Sequence, residues 1–463
     1  MFADGEINSH QYNFNYKHDL AKEGSTIEFE ADHNIYDANN PTTFSYPLAV
    51  EDNYEDTNST DRKRSTVNVD YVNPLTESSK LELGIEARLF NSIIQFSSTG
   101  ESINSEGLLV PAPDTTFDYT RDIYSAYVTY GNSFDKWTYQ AGLRFEQVEV
   151  AALALEDVDK SNFSNLYSEL YPSFFVTYSP TEKNTYQISY SRRIDRPGIG
   201  QVNPIKEWST PLVSSYGNKE LLPQFTNSLE INLTKKLKKG TLTTGVFYRL
   251  ITEEINRVVF VDRTDVNSGR VIISHDNFDD TAAFGIEISS NYRPFSWWNL
   301  NGSFDFYSQT QKGIAERLNK PIDEATIDDI VTDENKVDNV AFNVRLYNSF
   351  SASKKLSFTA FMFYRGQNRN LQFDVRPMYF MNVSARLNIL NNKGSLSLGF
   401  NDIFDTMRFR FEGRLPFEQV GAFHWESRTI QLGFNYRFGN SKFRAKSRRK
   451  RANDEKSGGG GLF

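Results

Sequence analysis

The sequence predicts an all-β fold, a transmembrane antiparallel up-and-down β-barrel. Three observations carry that prediction. Apolar and polar residues alternate with period two along most of the chain. Aromatics make up 14% of its 463 residues without any long apolar run. Short connections alternate with long ones.

The alternation is strict in several segments. In 81–89, Leu81, Leu83, Ile85, Ala87 and Leu89 alternate with Glu82, Gly84, Glu86 and Arg88. In 340–346, Val340, Phe342, Val344 and Leu346 alternate with Ala341, Asn343 and Arg345. In 381–389, Met381, Val383, Ala385, Leu387 and Ile389 alternate with Asn382, Ser384, Arg386 and Asn388. A strand sets successive side chains on opposite faces, so each segment has one apolar and one polar side. On a helix the same residues would scatter around the circumference. Lipid outside and a wet lumen inside account for both faces. Arg at lipid-facing Leu83 or Val344 is therefore expected to be costly, and Arg at lumen-facing Glu86 or Asn343 much less so.

The composition agrees. There are 37 Phe and 24 Tyr, yet mean hydropathy is negative. No segment approaches the ~18 consecutive apolar residues of a membrane helix. The absence of cysteine excludes disulfide frameworks, thiolate metal sites and Cys nucleophiles. A net charge of −8 gives no support for nucleic-acid binding.

About 17 strands are expected, at 7–19, 25–36, 64–73, 80–97, 119–131, 136–150, 170–179, 185–193, 224–235, 240–260, 281–293, 299–310, 337–350, 355–366, 378–389, 394–412 and 421–438. Several exceed the ~9–11 residues that cross a bilayer and should project beyond it. Short connections contain turn residues, as in 21–24, 132–135, 180–184, 237–240, 351–354 and 391–394. Long ones cover roughly 37–63, 98–118, 151–168, 195–223, 262–280 and 312–336. Short turns on one rim and long loops on the other is the outer-membrane pattern, with the long loops outside the cell. A soluble sandwich or propeller is the competing all-β reading. It would need a further layer over every apolar face and does not predict alternating loop lengths.

Aromatics gather near strand ends: Trp137 and Tyr139, Trp297 and Trp298, and Phe434, Tyr436 and Phe438. Their amphipathic rings suit the headgroup level, although sheet propensity also favours them in strands.

Strand 7–19 leads into a short turn and so runs inward. The last strand must end on the same side, which gives an odd count. Bacterial single-chain barrels have even counts. The 22-strand barrels are the plugged transporters, so the expectation is an incomplete barrel lacking about five strands and any plug. The start, Met1-Phe2-Ala3-Asp4-Gly5-Glu6, has no basic and no apolar region of a signal peptide, which fits a chain that begins partway through a precursor.

The middle of the chain carries a resemblance. Tyr186-Gln187-Ile188-Ser189-Tyr190-Ser191-Arg192-Arg193-Ile194-Asp195-Arg196-Pro197 is followed by Gln201-Val202-Asn203-Pro204, and then by Gly217-Asn218-Lys219-Glu220-Leu221-Leu222-Pro223-Gln224-Phe225-Thr226-Asn227-Ser228-Leu229-Glu230. This resembles the outer-membrane β-barrel family of Bacteroidota, whose members are similar to TonB-dependent receptors. Lys219 and Gln224 stand where Pro and Glu are usual in the family. The resemblance spans 1–438 and implies a barrel, without naming a ligand. Read from the residues alone, Gly217-Asn218, Pro197, Pro204 and Pro223 punctuate a loop between strands. Arg192, Arg193 and Arg196 lie where a strand meets an external loop. They are expected to pair with nearby acids or lipopolysaccharide phosphates, or to hold an anionic ligand.

Strand 421–438 ends with Leu432, Phe434, Tyr436 and Phe438 alternating with Gly433, Asn435 and Arg437. Phe434, Tyr436 and Phe438 resemble the C-terminal signal read by the barrel assembly machinery, and they also suit a last lipid-facing strand. After them comes a basic stretch, Lys442, Arg444, Lys446, Arg448, Arg449, Lys450 and Arg451, and then Gly458-Gly459-Gly460-Gly461. Residues 439–463 are expected to form a disordered periplasmic tail.

No chemical motif stands beside the barrel pattern. His10, His18, His33, His275 and His424 lack metal-ligand spacing. The acids Asp328, Asp329, Asp333 and Glu334, and Asp276, Asp279 and Asp280, do not match a calcium loop and read as solvated loop faces. Neither catalysis, nor a cofactor, nor nucleic acid is expected. The expected partners are outer-membrane lipid and lipopolysaccharide, the assembly machinery and, through a missing N-terminal part, the TonB complex. Two functions remain open: uptake of a bulky nutrient through a TonB-dependent-receptor-like barrel, and a non-transporting scaffold or surface adhesin.

Overall fold

The computed structural model describes residues 2–45, 53–103, 109–112, 114–155, 160–205, 207–210, 213–264 and 266–438. The expected tail at 439–463 lies outside the described residues.

Among the described residues, seventeen strands pair in chain order as one antiparallel up-and-down sheet. They are β1 (Glu6–Asp19), β2 (Thr26–Phe44), β3 (Tyr54–Pro74), β4 (Ser79–Ser98), β5 (Thr115–Phe134), β6 (Trp137–Leu155), β7 (Lys160–Thr181), β8 (Asn184–Asp195), β9 (Gln224–Leu237), β10 (Gly240–Val261), β11 (Val271–Phe295), β12 (Trp298–Leu318), β13 (Ile330–Ser351), β14 (Leu356–Arg365), β15 (Met378–Ile389), β16 (Gly394–Phe400) and β17 (Ile430–Tyr436). Short pieces at Phe2–Ala3, Glu207–Thr210 and Val213–Ser215 join the same sheet. Among the described residues, β1 pairs only with β2 and β17 only with β16, so the barrel is not closed.

Register carries the alternation from strand to strand. Phe29, Val69, Ile85 and Ala126 are successive cross-strand partners on the outward face. Asp70, Gly84 and Tyr127 are partners on the lumen face. Outward Ile85 is 61% exposed, whereas lumen-facing Asp70 is 6% exposed. The tyrosine explains the glycine. The Tyr127 hydroxyl donates to Asp70 at 2.6 Å, and a Cβ on Gly84 would sit 2.2 Å from the tyrosine ring.

Rings cluster at the short-turn rim. Trp137 stacks on Tyr178 with centroids 4.4 Å apart, and Trp298 lies 5.9 Å from Phe350.

The structure corrects the sequence reading on the long-loop side. Most of the expected loops are strands: β11 begins at Val271, β12 runs to Leu318 and β13 begins at Ile330. Beyond the bilayer a hairpin needs no apolar face, so polar runs such as Asn39-Asn40 opposite Asn58-Ser59 still pair. A second correction concerns the last two expected strands. Segment 394–412 breaks after Phe400, because the Asp402 carboxylate accepts the N–H groups of Thr406 and Met407 at 3.0 and 2.9 Å. Segment 421–438 breaks before Ile430, where Ser427 donates to the same carboxylate at 2.7 Å. The freed pieces, Arg408–Gly413 and Gln419–His424, pair with Phe373–Val375 and Asn368–Arg369 in a separate four-stranded sheet.

That small sheet packs on the outer extension of the β10–β11 hairpin. Phe373 joins Val259 and Val271 in one apolar cluster. Gln372 accepts the Val259 N–H at 2.7 Å and donates to its carbonyl at 2.8 Å. The largest cluster lies at the outer end of the lumen wall, where Ile94, Phe117, Ile123, Val148 and Val150 pack against Val202, Ile205 and Leu221. The connection after β8 is therefore folded against the inside of the wall.

Candidate functional site

The site is the outer half of the lumen wall together with the connection that folds into it, residues 196–223. Alternation and register bring charged residues of neighbouring strands into one rung. Glu86 on β4 is opposite Ser125 on β5, which is opposite Glu146 on β6. Arg88 and Arg144 stand one pleat away on the same face. Arg88 reaches Glu86 at 2.7 Å and Glu146 at 3.3 Å. Arg144 reaches Glu86 at 2.9 Å, Glu146 at 2.6 Å and the Ser125 hydroxyl at 2.6 Å. Charge-assisted bonds of this density hold side chains in single orientations.

Arg196 completes the network from the connection. Its guanidinium pairs with Glu146 and donates to the Tyr167 hydroxyl at 3.2 Å. Its side chain is 9% exposed. From the wall, Arg121 donates to the Pro197 carbonyl at 3.2 Å. The connection is thus bound to the lumen at its first residues.

Its own geometry explains the rest of the family-like segment. A one-turn helix, Ile199–Val202, follows Gly198. The Gly217 N–H donates to the Asn203 carbonyl at 2.6 Å, and the Asn218 N–H to the Gln201 carbonyl at 2.7 Å. A Cβ on Gly217 would lie 2.5 Å from the Gln201 carbonyl oxygen and 2.6 Å from the Asn203 nitrogen, so only glycine fits this backbone crossing. The Asn203 side chain accepts the Ile205 N–H, and the Asn218 side chain accepts the Glu220 N–H. Leu221 is buried against the wall.

The outer hairpin holds the other side of the connection. Val213–Ser215 pairs parallel with Val271–Ile273, and Asn277 accepts the Leu222 N–H at 2.8 Å. Between these contacts His275 faces its cross-strand partner Arg257. Burial, and then the Arg257 charge, pull the His275 pKa down to about 4. Burial raises the Asp276 carboxyl.

The three arginines singled out in the sequence do not converge. Arg192 shares the outward parity of Tyr190; it pairs with Glu169 at 3.1 Å and lies over the Phe225 ring at 4.7 Å. Arg193 has the opposite, lumen-facing parity and is exposed. Arg196 lies in the buried network. Phe434 and Tyr436 are exposed on the outward face of β17, and Phe438 is exposed just beyond it. The acidic stretches hold ordinary partners: Asp329 bonds Thr326 and Lys320, and Asp333 pairs with Arg317 at 2.5 Å. Among the described residues no group of three His, Asp or Glu is placed to hold a metal ion.

Sequence reading did not single out the Glu86, Arg88, Arg144, Glu146 network. The signal was present, as charged residues at i and i+2 on the polar faces of two strands. Only register could bring them together.

A family model described as an outer membrane protein beta-barrel family matches residues 18–436. No curated protein matches the sequence. Solved structures with the same fold include the siderophore receptor PiuA from Acinetobacter baumannii, at TM-score 0.64 and 16% identity, covering 93% of this chain and 64% of that one. The pyoverdine outer membrane receptor FpvA from Pseudomonas aeruginosa PAO1 gives TM-score 0.61 and 14% identity, covering 94% and 62%. The ferric-catecholate import receptor Fiu from E. coli K12 gives 0.62 and 13%, covering 94% and 64%. The chain spans less than two thirds of the length of these solved proteins.

Proposed function

We propose, for a chain that belongs to the outer membrane protein beta-barrel family, that it supplies most of the wall of an outer-membrane uptake receptor for a bulky nutrient. The observation that carries this reading is the connection after β8, fastened inside the barrel mouth by Arg196 and Glu146. A loop held within the lumen narrows a route for solutes. A scaffold or adhesin would need its loops turned outward.

The solved barrels it resembles are named for siderophore, pyoverdine and ferric-catecholate uptake. A solute of that bulk is the substrate class in this reading. A barrel this wide needs a plug to avoid leaking. In this reading the plug, its TonB-contacting box and the strands that pair with the free edges of β1 and β17 come from further parts of the same receptor. Arg193 faces the passing solute, and lipopolysaccharide surrounds the outward face. The assembly machinery reads Phe434, Tyr436 and Phe438.

Growth of a deletion strain on iron chelates, oligosaccharides and peptides tests the proposal. A defect on one source, restored by the wild-type gene and not by Glu146→Gln, supports uptake. Normal growth on every source favours the scaffold or adhesin.

A further inference from the structure

Above the ion network the lumen wall changes character. On β3, Arg62 and Arg64 face the lumen, opposite Tyr36 and Asn34 of β2 on one side and Ser92 and Phe90 of β4 on the other. Phe90 is opposite Arg121 of β5. The Arg62 guanidinium lies 5.3 Å from the Tyr36 ring centroid. Those of Arg64 and Arg121 lie 5.8 and 5.7 Å from the Phe90 centroid, so two cations share one ring.

Among the described residues, neither Arg62 nor Arg64 forms an ion pair with a carboxylate. This contrasts with Arg88 and Arg144 lower on the wall and with Arg196 of the connection, all of which pair with carboxylates. The neighbouring lumen acid, Asp32, already accepts the side-chain amides of Gln11 and Asn13. The Arg62 Nε is buried without a hydrogen-bond partner, and so is the Oγ of fully buried Ser92 on the same rung. Two neighbouring guanidiniums without a paired carboxylate, as Arg62 and Arg64 are among the described residues, repel one another, and such a pair is stabilised when an anion arrives. Rings that already seat a guanidinium leave its donor edge free to bond oxygen.

The height of the patch points to its ligand. A tilted strand crosses the hydrocarbon in about 9–11 residues, and Arg64 and Arg62 stand ten and twelve residues above Pro74 at the short-turn rim. They therefore face the lumen at about the outer edge of the bilayer, below the extended hairpin tips and on the side of the wall that lipopolysaccharide does not reach.

We infer that Arg62 and Arg64, with the Phe90 and Tyr36 rings, form a binding site in the lumen mouth for a multiply charged organic anion, its acidic oxygens held by the two guanidinium edges. The inference rests on the uptake reading and names its solute class. Carboxylates of a polypeptide filling the lumen could offer the same chemistry, and the test separates the two.

The full-length receptor, purified in detergent, is titrated with the aromatic trisulfonate pyranine, read by fluorescence anisotropy, and with inorganic pyrophosphate as competitor. Wild type should bind in a salt-sensitive manner. The double variant Arg62→Gln, Arg64→Gln should weaken binding at least tenfold and keep the heat-modifiable folded band, because it removes charges that repel each other. Arg62→Lys, Arg64→Lys should fall between, since the charge stays and the fork is lost. Arg345→Gln, on a distant part of the wall, should change nothing. Equal binding by wild type and the Gln variant overturns the site. So does binding that appears only after a lumen-filling segment is deleted, because the patch then serves fixed carboxylates. Normal growth of the deletion strain on every nutrient, together with loss of pyranine binding in the Gln variant, would defeat the uptake reading and leave the anion site standing.

Discussion

Leu83 and Glu86 lie three residues apart on β4 and face different surroundings. Leu83→Arg puts a charge in the lipid and should cost about 2–4 kcal/mol near the bilayer midplane. Asn343→Arg should cost much less, because the side chain enters the lumen between Asp305 and Arg365. The sequence alone put Glu86 in the same tolerant class, and the ion network overturns that. Glu86 pairs with Arg88 and Arg144, so Glu86→Arg would gather four guanidiniums around Glu146. In a refolding titration Glu86→Arg should behave like Leu83→Arg and not like Asn343→Arg. Glu146 matters more still, since it serves Arg88, Arg144 and Arg196. Stripping one partner from a buried pair costs about 3–5 kcal/mol. Glu146→Gln should therefore release the connection, seen as faster hydrogen exchange in 199–222 while the β4–β5 ladder stays protected. Unchanged exchange there would mean that the apolar cluster alone holds it.

A titratable group behind the same connection gives a pH dependence. His275 has a folded-state pKa of about 4 against an ordinary 6.5, through burial and then Arg257. The folded state thus binds fewer protons than the opened state between these values. Docking is fully stable above pH 6.5 and weakens as pH falls toward 4, by roughly 1 kcal/mol per pH unit less the screening from its remaining exposure. Protection factors for 213–222 should fall between pH 7 and pH 4.5 in wild type and stay level in His275→Gln. The same fall in both proteins would assign the effect to other groups.

At the scale of elements, Gly217 is the most constrained point of the connection. Gly217→Ala would drive a methyl into the Gln201 and Asn203 backbone, which cannot move without breaking the bonds that close the loop. It should raise proteolysis of 199–222 without lowering the melting temperature of the barrel. A lower melting temperature with an intact loop would contradict this. The strands themselves were legible wherever a bilayer imposes one apolar face, and 378–389 is an example with both ends correct. They were illegible where that constraint lapses. The outer parts of β11, β12 and β13 pair through polar residues, and the breaks at Asp402 and Ser427 depend on carboxylate bonds that no periodicity records. Of the site, the family-like motif marked the right loop. Its arginines were read as a group because they are close in sequence, yet a one-residue offset sends Arg192 and Arg193 to opposite faces. The wall residues that meet Arg196 are Glu146, fifty residues back, and Tyr167, twenty-nine back, and register alone puts them side by side.

At the scale of the whole molecule, the sheet has two edges. Tyr12, Phe14 and Tyr16 give β1 an outward apolar face, and Leu432 and Phe434 give β17 one, so both edges stand in lipid. An unpaired N–H or C=O there costs several kcal/mol, and each edge carries several such groups. The edges cannot meet merely by curling, because strand number, tilt and radius are linked. Pairing Glu6–Asp19 with Ile430–Tyr436 would change the tilt of the hairpins throughout the sheet. The strands described here should therefore need additional strands to insert. Residues 1–438 expressed alone should give no stable heat-modifiable band in lipid vesicles. Co-expression with a polypeptide that supplies the missing strands should restore one. A stable band from 1–438 alone, with a disulfide forming readily between cysteines placed at Asn13 and Gly433, would show that the sheet closes on itself as a narrower barrel.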